Sequence, residues 1–131
     1  MSTKSNALIS IVDDDVSIRE AIEGLIESLG LRVHAFASAL DFLASPHMGA
    51  TSCMIADVHM PQMSGIELHR RLAELGHAIP TILITAYPND GVRERALADG
   101  VVCYLSKPFD DDALIGAVRA VLQTPEPGAN G

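Results

Sequence analysis

Basic residues are scarce in this sequence, and so are cysteines and long apolar runs. Nine lysines and arginines face 17 aspartates and glutamates, leaving a formal net charge of -8 and a pI near 4.9. That balance argues against gripping a phosphate backbone, so no direct nucleic-acid binding is expected. Only Arg70 and Arg71 are adjacent, and the pair reads as part of a solvated helix face. Cys53 and Cys103 sit inside apolar, strand-like runs with no CxxC and no second metal-type ligand at a suitable spacing. They read as core thiols rather than a disulfide or a zinc site. No run approaches the roughly 20 apolar residues of a membrane span. The opening MSTKSNA lacks the charged and apolar regions of a signal peptide. A soluble, cytoplasmic protein with no membrane partner is therefore expected.

What is present is a regular alternation. The length of 131 residues suits one domain. Five β-rich apolar runs, LISIV, LRVHAF, SCMIA, TILIT and VVCYL, alternate with amphipathic stretches of helical length. Ile18, Ile22, Leu25, Ile26 and Leu29 keep the three-four spacing of one buried helix face, with Asp15 placed to cap it. Ser38 with Asp41, and Ser64 with Glu67, have capping-box spacing. Gly30, Gly76 and Gly100 are placed as left-handed helix C-caps, each shortly before the next strand. Five β-then-α units imply a parallel sheet covered on both faces. Residues 1–6 and the tail 123–131 lack this patterning and read as a disordered N-terminus and a linker-like end around a domain of residues 7–122.

An open parallel sheet binds ligands outside the carboxyl ends of its strands. The first run ends in Asp13, Asp14 and Asp15, the third in Asp57, the fourth in Thr85, and the fifth in Ser106-Lys107-Pro108. If these strands are neighbours, acids, a hydroxyl and an ammonium converge on one rim. Two carboxylates about 4 Å apart at an effective dielectric near 20 repel by roughly 4 kcal/mol. The acids must therefore diverge, protonate or hold a cation. Hard oxygen ligands suit Mg²⁺, which often shares its remaining positions with phosphate. A carboxylate beside such a metal can form an acyl phosphate, whose phosphoryl oxygens the lysine and threonine would bind. Each residue also has a plainer role: Asp15 as a cap, Asp57 in a turn, Thr85 as a strand former, Lys107 as a solvated lysine. Their common position at one rim is what those roles do not explain.

The motifs IVDDD, IADVHMPQMSGIE, LITAY and YLSKPF, in this order, make the chain resemble the receiver domain of bacterial two-component response regulators over about residues 7–122. Within it, VHAFASALDFLAS and IPTILITAY look most like the nitrogen-fixation-regulator subfamily. The resemblance implies a flavodoxin-like (βα)5 three-layer sandwich with a parallel sheet of order 2-1-3-4-5 and a cis Lys107-Pro108 peptide. It implies Asp57 as the phosphoacceptor and a Mg²⁺ site of Asp13 (through water), Asp14, Asp57 and the carbonyl of His59. Thr85 and Lys107 would hold phosphoryl oxygens. Thr85 and Tyr104 would form the switch, with Tyr104 moving in from an exposed position; edge packing is the alternative for Tyr104. The implied donor is a histidine kinase or histidine phosphotransfer protein, and a homodimer could form through the face made by helix 4, strand 5 and helix 5.

Three local features depart from the family pattern. Pro88 follows the switch threonine closely and should bias Tyr87 toward extended backbone. His59 and Tyr87 flank the site, and Cys103 stands where a polar residue is common. Two other functions compete. A phosphohydrolase of the haloacid-dehalogenase kind would carry a DxDx[TV] motif after its first strand, and the chain has Ser17 at the fifth place and no room for a cap domain. An unphosphorylated scaffold would normally have lost Asp57, Thr85 or Lys107, and three acids would repel the phosphate of a flavin.

Overall fold

The computed structural model describes residues 7–123, so the expected N-terminal stretch 1–6 and all of the tail beyond Gln123 lie outside it. Five strands, β1 (Leu8–Val12), β2 (Arg32–Phe36), β3 (Cys53–Asp57), β4 (Thr81–Thr85) and β5 (Cys103–Ser106), alternate with five helices. These are α1 (Val16–Ser28), α2 (Ala39–Leu43), α3 (Gly65–Glu74), α4 (Asp90–Ala98) and α5 (Asp111–Gln123). All strand pairs are parallel, as the alternation implied, and the order is β2-β1-β3-β4-β5, as the resemblance implied.

The central strands β1, β3 and β4 are buried at every residue, and so show no polar alternation. Side-chain parity divides them between two cores. Ile9, Ile11, Ile55, Ile82 and Ile84 pack with Ile22 and Ile26 of α1 and Leu114 and Val118 of α5. Val12, Met54, Ala56 and Leu83 face Phe42 of α2, Leu68 and Leu72 of α3 and Ala96 of α4. Each such fully buried aliphatic side chain contributes roughly 1.5–3 kcal/mol. Cys53 lies in the first core, where burial pushes its thiol up to about 12. Neither cysteine is in a disulfide.

The helix signals act as read. Asp15 accepts from the N–H groups of Ser17 and Ile18 at the start of α1. Ser64 and Glu67 close a reciprocal capping box on α3, and Ser38 accepts from the Asp41 N–H on α2. Gly30, Gly76 and Gly100 have φ of 78°, 86° and 101°. Two elements differ from the alternation expected. The α2 helix has only five residues and is followed by a 3-10 turn, Met48–Ala50. Pro46 accounts for this, because a proline forbids helical continuation through itself and disfavours it in the residue before. The fifth strand starts at Cys103, two residues later than the apolar run. Val102 donates its N–H to Thr81 O, but Val101 is already turned back, donating to Ala96 O.

Candidate functional site

The sheet order places β1, β3, β4 and β5 side by side, so their carboxyl ends share one rim. Asp57 is the last residue of β3 and Thr85 the last of β4. Asp13 follows β1 and is fully buried; Asp57 and Thr85 are buried too, whereas Asp14 is exposed. One carboxylate oxygen from each of Asp13, Asp14 and Asp57 lies within 4.8 Å of the others. The acids thus converge rather than diverge.

A cation already sits among them. Lys107 Nζ lies 3.2 Å from Asp13 Oδ2 and 3.1 Å from Asp57 Oδ2. Lys107 directly follows β5: its N–H donates to Thr85 O at 2.7 Å, and the following peptide to Pro108 is cis, as expected. Burial pulls the Lys107 ammonium toward lower pKa, but the two carboxylates together outweigh it and raise the group above its ordinary value. Asp13 is also raised. Burial is the main cause and repulsion from Asp57 adds to it, against the Asp15 N–H and Lys107, which pull it down. The sequence reading brought these four residues to one rim but did not pair Lys107 with Asp13 and Asp57, although the ammonium's place among the acids was the signal for it.

Backbone donors complete the frame. The Asp15 N–H donates to Asp13 Oδ1 at 2.8 Å, and the His59 N–H to Asp57 Oδ1 at 3.2 Å. Arg19 Nη1 donates to the carbonyl of Asp13 at 2.8 Å, a tie from the first turns of α1 that sequence reasoning missed. Gly65 was also missed. Its amide donates to Val58 O, and a Cβ there would collide with the Asp57 carbonyl oxygen and lie 3.1 Å from Leu83 Cδ2. Only glycine lets α3 begin so near β3. Gln62, at φ 71°, turns the loop between them.

Thr85 Oγ1 accepts from the Tyr87 N–H at 3.0 Å. Tyr87 is 71% exposed, and its ring meets that of His59 edge-on at 5.4 Å, so these two residues do lie together beside the rim. Tyr104 is half-buried against the α2–α4 core rather than exposed, and its hydroxyl accepts from the Asn89 N–H at 3.3 Å. The donor set fits a hard divalent ion: three carboxylates, each offering one oxygen within 4.8 Å of the others.

Fold and rim together define a flavodoxin-like α/β domain whose acidic site is bridged by one lysine. Residues 9–119 match the response regulator receiver domain, and the chain belongs to that family. Response regulator protein TmoT of Ectopseudomonas mendocina is 42% identical over 117 residues, 89% of this chain and 53% of that protein. Transcriptional regulatory protein FixJ of Azorhizobium caulinodans is 38% identical over 114 residues, 87% of this chain and 54% of that protein. FixJ is thus among the relatives, with TmoT nearer in identity. The chain spans about half the length of these relatives. Among solved structures, response regulator StyR superposes with a TM-score of 0.83 at 36% identity, covering 90% of this chain and 60% of that one. A response regulator receiver protein from Burkholderia phymatum gives 0.77 at 44%, covering 92% and 98%. The chain is a signalling receiver domain, in a family whose general function is phosphorylation-based switching.

Proposed function

We propose that Asp57 accepts a phosphoryl group from the phosphohistidine of a sensor kinase or phosphotransfer protein. A carboxylate oxygen of Asp57 attacks phosphorus; the P–O bond forms as the P–N bond breaks, and the released imidazole takes up a proton. Water later attacks the acyl phosphate and frees inorganic phosphate, so the domain has slow self-dephosphorylation and no external turnover substrate. Asp14, Asp57 and the carbonyl of His59 would hold Mg²⁺, with Asp13 acting through water. When bound, the ion would supply positive charge for the acids and the phosphoryl oxygens.

The chain's own residues do the rest. The His59 N–H orients the Asp57 carboxylate. Lys107, now bound to Asp57 Oδ2, shifts its ammonium contact to a phosphoryl oxygen once Asp57 is phosphorylated. The Thr85 hydroxyl supplies a second donor after leaving the Tyr87 N–H. Its movement frees Tyr104 from the Asn89 amide and reshapes the face of α4, β5 and α5, which a partner, an output domain or a second copy of the chain reads. We place this domain at residues 7–122 of a cytoplasmic protein.

The observation that carries this reading is the Lys107 ammonium shared by Asp13 and Asp57 in a cluster of three carboxylates. Incubation with acetyl phosphate and Mg²⁺ should add one phosphoryl mass to the protein and none to Asp57→Asn. Equal phosphorylation of that variant would remove Asp57 from the role.

A further inference from the structure

A second cluster of titratable groups lies away from the acidic rim, where α2 stops short. His34 is the central residue of β2, registered with Ser10 of β1, whose buried side chain belongs to the same polar patch. His47, four residues beyond the end of α2, lays its imidazole on that of His34: the centroids are 4.1 Å apart and the planes 13° from parallel. The backbone around His47 is tied at several points. Its N–H donates to Ser45 Oγ, its carbonyl accepts from Thr51 Oγ1 at 3.1 Å, and Thr51 Oγ1 meets Ser10 Oγ at 2.7 Å. Ser52 then joins β1 through its N–H to Leu8 O and its Oγ from the Leu8 N–H. In the stacked pair His34 is partly buried on β2 and His47 is the exposed outer ring.

Near-parallel rings confine their in-plane nitrogen lone pairs to two separate, near-parallel planes, which does not suit convergence on one shared metal ion. Protonation is the chemistry this contact responds to. Two neutral rings, or one neutral and one charged, can stack, but two cations at this distance repel. We propose that the His34–His47 stack is an acid-sensitive clasp holding the α2–β3 connection against the sheet, and that it opens when both rings are protonated.

Most of the surroundings of His34 favour its neutral form. Partial burial, then His47, then Arg32 hold His34 below its ordinary value of 6.5, while Glu23 of α1 opposes them. A histidine depressed in the folded state contributes stability above the unfolded pKa and loses it as pH falls through the folded one. The clasp is therefore closed while His34 is neutral and loosens on acidification, as pH falls through a His34 value held below the ordinary one.

The test compares wild type with His47→Phe, which keeps a ring on His34 but cannot be charged. Ring-proton NMR titration and amide hydrogen exchange, corrected for intrinsic rates, should show the wild-type rings parting in acid. Thr51 and Ser52 should then exchange about fivefold faster or more, the factor expected for roughly 1 kcal/mol of screened repulsion. In His47→Phe the His34 pKa should rise toward its ordinary value and the exchange increase should vanish. If both proteins lose protection at the same pH, or if both wild-type rings titrate while remaining stacked, the clasp is overturned.

Discussion

Three acids meeting one lysine decide most of what single substitutions should do. Asp14 is exposed and its nearest charged company is negative, so Asp14→Asn should raise the metal-free melting midpoint slightly, by under about 1 kcal/mol after screening. Asp13→Asn should give no such gain despite the same loss of charge. One Asn oxygen can still accept from the Asp15 N–H, but the amide nitrogen then faces the Lys107 ammonium, donor against donor. Paired thermal melts without Mg²⁺ distinguish the two. The pH dependence is also signed. A carboxyl raised above 3.8 in the folded state contributes stability below 3.8 and loses it as pH rises through its folded value. The stability of wild type relative to Asp13→Asn should therefore increase on acidification, and denaturant titrations at several pH values would show it. Lys107 is raised above 10.5, so its contribution is complete below that pH and is lost only in stronger alkali. Asp13, Asp14, Asp57, Thr85 and Lys107 were legible as one group because strand ends in a parallel sheet share a rim. Their mutual pairing was not, since it depends on how far one side chain reaches across two strands.

Elements were legible to different degrees, and packing explains where reading failed. Strands β1 and β4 carry their boundaries in their apolar runs, because full burial leaves no ambiguity of face. The α2 region did not, since five helical residues hold too little periodicity to show where they stop. Pro46 was the available signal. The α4 helix is similarly faint, with Ala96 its one buried residue. At the other extreme stands the start of α3, where Gly65→Ala would drive a methyl into the Asp57 carbonyl. Overpacking of this kind typically costs about 1–3 kcal/mol, and a rigid backbone oxygen places this case toward the upper end. Chemical denaturation should show the loss, and phosphorylation by acetyl phosphate should slow as Asp57 is displaced. Unchanged stability would mean that α3 can back away from β3.

For the whole molecule, the acidic rim and the fold are thermodynamically linked. If Mg²⁺ binds the folded rim and not the unfolded chain, the melting midpoint should climb with its concentration, by about 2.7 kcal/mol of stability at a hundred times the dissociation constant. A shift of the same size in Asp57→Asn would argue that the ion binds elsewhere. The resemblance that the motifs carried foresaw the global architecture correctly, including strand order. Crossover topology of this kind is heavily constrained once five β-α units are recognised.

The lysine beyond β5 also has a mechanical side. β5 is an edge strand whose ladder runs to β4 alone, yet its carboxyl end is moored past β4 to residues following β1 and ending β3. Its amino end has no charged tie of that reach: the preceding Val101 is buried and donates to Ala96 O, and Val102 is exposed. Fraying of this edge should accordingly be one-sided, beginning near Val102 and stopping before Lys107, with the last turns of the ladder the slowest to part.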